Sequence, residues 1–540
     1  MDAKTLAITM VLVMVFSTIN FDLENEQLKD EFQDEFKIMR NNIQNSETGN
    51  STEAIAVFTK TVPGSNSDST EIHYSIRGHK HKILETVTDD LTWKWWSLNP
   101  EGGKTDKIPT NNPHMIDFSG LNSNPTVAFS RQAAAVVVWS VREEAGTISC
   151  NSNSEITYKT SLVYSIWDAY EQNWSSPDFV LESYEDEYLE NPSLALDNNG
   201  FGLISYNRIE IERQNGCITG QKMKIKAMEV RLLADRTYLQ PGQAYILDEY
   251  EGGFASFERP PLVSAVSFSS NLVLTDENRI TDSKSIQKGL VVWWSEAERY
   301  TKECDGYEQV IQTYWPKYEI WEGSAFQNLA DEKYIPERMT PPNSLDDDFS
   351  IAPSSNIGIS TDSLSDGYHH FESTFWELHS HTQVDWIVTN LHGDPCDQAS
   401  QTTTKEAWSA RYTGNIIEED EHNLDWVTKA NKIKELPIQS ESISIAFTPN
   451  EDGIVVHDGG ANQEIEWLRQ TYDVTETEGN ITTESPIEWN NNGQLKTASG
   501  TNPKVVSMAH QRTLVMWQTS GYENEAEIGW SEVDNDKMIN

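Results

Sequence analysis

The stretch NPTVAFSRQAAAVVVWS, residues 124–140, contains the pattern that decides the fold. It opens on an Asn-Pro pair followed by alternating small and apolar residues, which is typical of a strand with one buried face. The nearly unbroken apolar run AAAVVVWS follows, and such a run is typical of a strand buried on both faces. The stretch therefore predicts a hairpin whose second strand lies inside a core.

The same pattern recurs along the chain, which is the main signal of a repeat fold. Related first strands begin at residues 191, 260, 355, 442 and 502, and apolar second strands begin at residues 54, 201, 289, 453 and 513. Polar turns such as DNNG, residues 197–200, join several of these pairs and predict tight hairpins. Fourth strands open on Trp-Ser, as in NWSSPDFV from residue 173 and AWSARYTG from residue 407.

The third strands give the number of repeats. Most carry a central aromatic residue, and they centre on Tyr74, Tyr164, Glu229, Tyr318, Trp386, Trp467 and Trp530. A four-stranded unit cannot bury both faces alone, and units in series are stable when they pack radially. We predict an all-β fold, a β-propeller of seven blades, with six as the alternative count. The first copy lacks an obvious first strand and the last lacks a fourth, so we expect the chain ends to meet at ring closure.

The N-terminal segment differs from the rest of the chain. Lys4 precedes an apolar run over residues 6–16, which suits the core of a secretory signal and is short for a membrane span. No clear cleavage motif follows, so residues 1–20 are predicted to be either a signal peptide or an uncleaved anchor. Residues 21–52 predict a short amphipathic helix and a linker, and residues 53–540 the propeller. We expect an extracellular or cell-surface protein that meets a membrane only through this segment.

The charge balance excludes one class of partner. The chain has 85 acidic residues against 40 basic ones, a formal net charge of −45. Nucleic acid is not expected to bind, because phosphate recognition needs a concentrated positive surface. Acidic runs at residues 346–348 and 418–421 are candidates for Ca²⁺, but they lack the ligand spacing of a dedicated loop, so solvated charge is the favoured interpretation.

The cysteines predict two disulfides. Cys150, Cys217, Cys304 and Cys396 are even in number and form no CxxC pair, which fits an oxidising compartment. The first three follow the end of a second strand by ten or eleven residues. Equivalent loops of successive blades lie side by side, so the spacing favours Cys150 with Cys217, and Cys304 then with Cys396.

The order of these elements resembles that of secreted β-propellers of the sialidase-like superfamily, over most of residues 53–540. The superfamily's Asp box, Ser/Thr-x-Asp-x-Gly-x-Thr-Trp, has no intact copy. Asp168 lies one position too far from Ser165, with Ala169 and Tyr170 where Gly is expected, and residues 318–326 have Glu322 in place of Asp. Sialidase activity would imply an arginine cluster with a Tyr/Glu pair. The arginines are scattered in sequence, and FERPP, residues 257–261, departs from the family's Phe-Arg-Ile-Pro segment.

Histidines supply the one candidate metal site. His379 and His381 lie in HHFESTFWELHSH, residues 369–381, which we assign to a hairpin between second and third strands. They could chelate a metal with Asp385 or His392 nearby, while polar hairpin ends on a wet surface are the favoured alternative.

The combined pattern favours binding over catalysis. We predict an adhesion or recognition module for a protein or glycan ligand, with no required cofactor and no assigned catalytic residue. A divergent sialidase-like glycoside hydrolase is the alternative, and a metal-dependent enzyme built on the histidines ranks third.

Overall fold

The computed structural model describes most of the chain from residue 50 onward. The described residues are 50–61, 70–80, 94–96, 106–107, 121–130, 134–151, 153–168, 173–197, 199–253, 263–274, 283–323, 325–326, 334–335, 349–362, 367–369, 376–378, 380–414, 426–447, 453–459, 464–471, 475–477, 480–482, 488–499, 501–508, 512–519, 527–534 and 537–539. The predicted export segment and amphipathic helix lie outside them. Within these ranges the structure is nearly all β, with one short 3₁₀ turn at Gln398–Ser400, and it has no helix long and apolar enough to cross a membrane.

The strands group into antiparallel units that follow one another along the chain. Unit 1 contains β1 (Asn50–Thr61), β2 (Thr70–Lys80), β3 (Lys94–Trp96) and β4 (Asp106–Lys107), with β3 and β4 both paired to β2. Unit 2 contains β5 (Leu121–Ser130), β6 (Ala134–Cys150), β7 (Asn153–Asp168), β8 (Asn173–Trp174) and β9 (Asp178–Leu181), with β8 and β9 both paired to β7. Unit 3 contains β10 (Glu187–Leu196), β11 (Phe201–Gln214), β12 (Cys217–Leu232) and β13 (Leu239–Gly253).

The second half of the chain continues the series. Unit 4 contains β14 (Ser264–Leu274), β15 (Ser283–Cys304) and β16 (Tyr307–Glu322), and unit 5 contains β17 (Phe349–Asp362), an inserted hairpin of β18 (Gly367–His369) and β19 (Trp376–Leu378), then β20 (Ser380–His392), β21 (Thr402–Gly414) and β22 (Trp426–Leu436). Unit 6 contains β23 (Ile443–Phe447), β24 (Gly453–His457), β25 (Glu464–Thr471), a separate hairpin of β26 (Thr475–Thr477) and β27 (Asn480–Thr482), and β28 (Glu488–Ser499). Unit 7 contains β29 (Thr501–Met508), β30 (Arg512–Thr519), β31 (Glu527–Asp534) and β32 (Lys537–Ile539).

The core lies between consecutive units, and the second strands contribute to it from both faces. Alternate residues of a strand point to opposite sides. On β6, Val137 and Trp139 pack with Tyr74 of unit 1, whereas Val136 packs with Ile204 of unit 3. Similar clusters join units 3 and 4, 4 and 5, 5 and 6, and 6 and 7. The prediction that the apolar runs are strands buried on both faces is therefore confirmed.

The innermost described strands connect consecutive units. The strand β1 of unit 1 and the first strands β5, β10, β14, β17, β23 and β29 of units 2 to 7 contact one another in this order. This serial packing of antiparallel sheets, each with three or four described strand positions, through their innermost strands is the arrangement of a β-propeller. Two single parallel bridges add to it, Tyr188 with Thr160 between units 2 and 3 and Thr313 with Ile351 between units 4 and 5.

The DNNG turn has the predicted hairpin geometry. The Asp197 side-chain oxygen Oδ1 accepts hydrogen bonds from the backbone N–H of Asn199 at 2.8 Å and of Phe201 at 2.7 Å. Gly200 has a φ of 83°, which a residue with a side chain rarely adopts. The turn is thus fixed by the Asp197 side chain and by the positive φ of Gly200, and it joins β10 to β11.

Three strand assignments from the sequence are wrong. In unit 5 the strand around Trp386, β20, pairs with the first strand β17 and is the second strand, so the Trp-Ser segment at residue 407 lies on the third strand β21 and not on a fourth. Part of the histidine-rich segment consequently lies between the first and second strands of unit 5. In unit 7, β32 supplies a short fourth strand that was not predicted. The error in unit 5 arose because an insertion separates its first two strands.

Both disulfides join the hairpins between second and third strands of neighbouring units. Cys150 bonds Cys217 between units 2 and 3, and Cys304 bonds Cys396 between units 4 and 5. The pairing is the predicted one, and Cys396 lies in the turn between β20 and β21, whereas the other three cysteines lie at strand ends. The strands β6 and β15 extend without interruption to Cys150 and Cys304.

Isoleucines at a buried and an exposed position provide a test of the core. Ile204 is fully buried between units 2 and 3, whereas Ile438 is 60% exposed in a turn. We expect Ile204→Ala to lower the free energy of unfolding by about 2–5 kcal/mol, because truncation removes buried contacts and leaves a cavity. Ile438→Ala should change it by less than about 0.5 kcal/mol. Denaturant unfolding measures both, and equal effects would contradict the assigned packing.

The first disulfide provides a second test. It closes a segment with a sequence separation of 67 residues. Replacing both Cys150 and Cys217 by Ala should lower the free energy of unfolding by about 2–4 kcal/mol, because the unfolded chain regains the freedom that the cross-link removes. Peptide mapping of the unreduced protein checks the pairing, and a Cys150–Cys304 peptide would refute it.

Candidate functional site

The predicted metal ligands are not brought together where the structure describes them. Asp385 and His392 both lie on β20, seven positions apart, which is about 23 Å along an extended strand. Asp385 is fully buried with Gln383 Nε2 at 3.2 Å from its Oδ1, while His392 is exposed and lies 3.2 Å from Thr404 Oγ1. His379 and the side chain of His381 lie outside the described part, so their pairing stays a prediction.

No group of three or more His, Cys, Asp or Glu side chains among the described residues is arranged to hold a metal ion. The acidic runs at residues 346–348 and 418–421 lie outside the described ranges, and Ca²⁺ binding there stays a prediction.

The histidine at the end of β24, His457, is enclosed by protein groups. His457 is fully buried at the end of β24, and its Nδ1 lies 3.0 Å from the Asp458 carbonyl oxygen. Burial lowers the pKa of His457 below its usual value, so the ring is neutral at pH 7. Glu466 lies 3.4 Å from its Nε2 and accepts a 2.6 Å hydrogen bond from Lys434.

The Asn-Pro pairs at Asn124 and Asn191 form two β-bulges that meet between units 2 and 3. Asn124 and Asn191 each have a φ of 51°, and the strand register shifts at both positions, so each pair forms a β-bulge. The sequence predicted that strands begin here, but β5 and β10 begin three and four residues earlier. Proline has no N–H to donate to a ladder, which explains why the pair is accommodated as a bulge. Asn124 Nδ2 donates to Asn191 Oδ1 at 2.6 Å, linking units 2 and 3.

Next to these bulges, four side chains from units 2 and 3 form what we call the Arg142 site: Arg142, Tyr158, Tyr188 and Glu190. The guanidinium carbon of Arg142 lies 4.2 Å from the centre of the Tyr158 ring and 5.7 Å from that of Tyr188. Arg142 and Tyr188 become neighbours because both pair with Thr160, one from β6 and the other through the parallel bridge from β10. A cation over aromatic faces is held without losing its charge.

Glu190 gives the site a second ionisable group. It follows Tyr188 by two positions on β10, so both side chains project to the same face. Burial raises the pKa of Glu190 above its usual value, and the positive charge of Arg142 partly offsets the rise. Burial likewise raises the pKa of Tyr188, so its phenol stays protonated at neutral pH.

The other two arginines of this region are neutralised by carboxylates. Arg213 donates to Asp186 at 2.6 Å and to Glu155 at 3.1 Å, and Arg208 pairs with Glu187 at 2.7 Å. Among the described side chains, no carboxylate oxygen lies within ion-pair distance of the exposed Arg142 guanidinium. The structure therefore brings three arginines near one another but leaves one of them, Arg142, in contact with rings and solvent.

Two large exposed side chains lie on the segments that flank Tyr158. Tyr184 is 78% exposed, and its loop is fixed against β7 because the Asp186 N–H donates to the Tyr158 carbonyl at 2.9 Å. Ile156 on the same strand is 49% exposed. Tyrosine rings can stack on the apolar face of a sugar, and a guanidinium and a carboxyl beside such rings can hydrogen-bond its substituents.

Sequence reasoning missed this site, although two signals were present. The segment preceding the second Asn-Pro pair, DEYLENP at residues 186–192, alternates so that Tyr188 and Glu190 share a face. Arg142 follows the apolar run of β6 directly. Arg142 and Tyr188 are brought together by the parallel bridge between units 2 and 3, and no pattern within either segment predicts that bridge.

Comparisons with known proteins give no family. No protein-family model and no curated protein matches the chain. Similar solved structures include the intramolecular trans-sialidase of Ruminococcus gnavus (8% identity, 77% of this chain and 94% of that one, TM-score 0.27), the leech intramolecular trans-sialidase (8%, 91% and 92%, TM-score 0.28) and the α-L-arabinanase of Penicillium chrysogenum (9%, 77% and 94%, TM-score 0.36). All three TM-scores lie below 0.5, and none of these proteins defines a family for this chain.

The raised pKa of Glu190 predicts a pH-dependent effect on stability. The pKa of a glutamate in an unfolded chain is about 4.3, and the pKa of Glu190 in the folded protein is higher. Between these two pKa values the folded state therefore binds more protons than the unfolded state. The contribution of Glu190 to the free energy of unfolding is fully present below the pKa of the unfolded chain, and it is lost as the pH rises through the pKa of the folded protein. Glu190→Gln should therefore unfold at a higher temperature than the natural protein at pH 7, with the difference vanishing below about pH 4. Thermal unfolding across pH tests this, with exposed Glu308→Gln as the control; equal profiles for the two variants would contradict it.

Proposed function

We propose that this chain is an exported, seven-bladed β-propeller that binds a glycan at the Arg142 site without chemically changing it. The observation that carries the proposal is the exposed Arg142 guanidinium held over two tyrosine rings beside the half-buried carboxyl of Glu190. A guanidinium can hydrogen-bond a carboxylate through two parallel bonds, and tyrosine rings stack on sugars. The favoured ligand is therefore a glycan that carries a carboxylate.

Seven blades follow if each unit forms one blade. Unit 1 has three strand positions, with β3 and β4 sharing the outer one, and unit 7 ends with the three-residue strand β32. We propose that unit 1 and unit 7 meet and close the ring. A ring leaves short, protected edges and buries both faces of every blade, which accounts for the apolar second strands.

Export is supported by two independent features. The apolar run near the N-terminus suits a secretory signal, and all four cysteines are consumed in two disulfides that are expected in an oxidising compartment. The high negative charge repels anions at long range, but this field is screened beyond about 8 Å at physiological ionic strength. An acidic glycan could thus be bound through short-range contacts.

The neighbouring arginines favour binding over hydrolysis. A sialidase-type site needs several free guanidinium groups to hold the substrate carboxylate, and Arg208 and Arg213 are already paired with acids. The specific observation in favour of a glycoside hydrolase is the adjacency of Tyr188 and Glu190, since a carboxyl with a raised pKa can act as a general acid. Hydrolysis is therefore the second candidate function.

Glycan-array binding of the full chain tests the proposal. We expect binding to acidic glycans, and we expect Arg142→Ala to weaken it at least about tenfold, since loss of one charge-assisted contact costs about 1.5–3 kcal/mol. Arg231→Ala is a matched control, because the Arg231 guanidinium also lies over an aromatic ring, that of Phe201, at 4.6 Å. Phe201 lies about 23 Å along β11 from Arg208, the arginine of β11 that lies in the region of the Arg142 site. Equal binding by both variants would refute the assignment of the site.

Turnover of the bound glycans separates the two candidate functions. Binding without release of free sugar supports recognition alone. Release that is lost in both Tyr188→Phe and Glu190→Gln, while binding persists, would establish the hydrolase instead.

A further inference from the structure

The triplet Asn173–Trp174–Ser175 at the start of the outer strand has the residue pattern of an N-glycosylation acceptor, Asn-x-Ser/Thr with x other than proline. Two other triplets in the chain share the pattern, at Asn50 and Asn480. Asn173 is the one whose side-chain environment the structure describes.

The fold leaves the Asn173 side chain free for a large substituent while fixing its neighbours. Asn173 is exposed at the first position of β8, whereas Trp174 is 8% exposed and its ring lies 5.1 Å from that of Tyr74. The Ser175 hydroxyl oxygen accepts a 2.9 Å hydrogen bond from the Ile166 backbone N–H. Strand alternation thus turns Trp174 inward and Asn173 outward, so a glycan would project into solvent without disturbing the core.

We propose that Asn173 carries an N-linked glycan, added from a lipid-pyrophosphate-linked oligosaccharide during export. The Asn173 Nδ2 atom forms a bond to C1 of the first sugar as the C1–O bond to the pyrophosphate breaks. The lipid pyrophosphate leaves with the bonding electrons, and the amide nitrogen loses one proton. Because Trp174 is buried and the Ser175 hydroxyl is engaged in the folded protein, the transfer takes place before unit 2 folds. The inference rests on the proposed export but not on glycan binding.

A glycan at Asn173 would not obstruct the Arg142 site. Asn173 pairs with Asp168 at one end of β7, and Arg142 pairs with Thr160, eight positions along the same strand. This separation is about 26 Å in an extended strand. The glycan would instead shield the opposite end of units 1 and 2, so that end is not expected to be a docking surface.

The chain contains its own negative controls. Asn124-Pro-Thr and Asn191-Pro-Ser have the same outer residues, but proline occupies the middle position, which excludes them as acceptors. Asn124 is exposed like Asn173, so exposure alone cannot account for a difference between the two.

Secretion of the full chain from cultured eukaryotic cells, followed by mass mapping of the unreduced protein, tests the inference. We expect a glycopeptide at Asn173, unmodified peptides at Asn124 and Asn191, and loss of the glycan in both Asn173→Gln and Ser175→Ala. Asn173→Gln should keep the thermal midpoint and the glycan-array binding of the natural chain. A secreted protein with both disulfides intact and Asn173 unmodified overturns the inference while leaving export standing, and retention of an unmodified chain inside the cell overturns both.

Discussion

The burial of each second strand between two neighbouring units is the constraint on which the rest of the structure depends. Trp139, Trp294 and Trp386 are fully buried on such strands, and residues beside them point to the opposite neighbour. A strand of this kind cannot be stable in an isolated unit, since one face would be exposed to water. Each unit therefore needs its neighbours, and this requirement favours closure of the series into a ring.

The hairpins between second and third strands are held together by different contacts from those of the core. Beyond the buried core the second and third strands extend as long hairpins, and there the disulfides and parallel bridges tie unit 2 to unit 3 and unit 4 to unit 5. The Arg142 site lies at the first of these connections. Arg142 and Tyr158 come from unit 2 and Tyr188 and Glu190 from unit 3, and a disulfide and a parallel bridge fix the relative position of the two units. A site so supported can hold a ligand with little loss of conformational freedom on binding.

Polar and charged groups are arranged differently in the core and at the Arg142 site. Inside the core, polar groups such as His457 and Asp385 are enclosed and hydrogen-bonded. At the Arg142 site, burial raises the pKa of a carboxyl that faces an exposed cation. The first arrangement supports the fold, and the second offers a ligand one guanidinium, two rings and one proton donor or acceptor. The combination of an exposed cation, two rings and a half-buried carboxyl distinguishes the candidate site from the other polar clusters in the described part of the chain.

The sequence alone determined what depends on local periodicity: the alternating and continuous apolar runs, the DNNG turn, the repeated units and the pairing of the cysteines in adjacent hairpins. It failed where residues distant in sequence decide the outcome. In unit 5 an inserted hairpin separates β17 from β20, so the strand containing Trp386 was assigned to the wrong position. The neighbourhood of Arg142 and Tyr188, 46 positions apart, was decided only by the tertiary structure, because one parallel bridge brings both beside Thr160. Periodicity fixes which face a side chain occupies, but only packing between units fixes what it meets there.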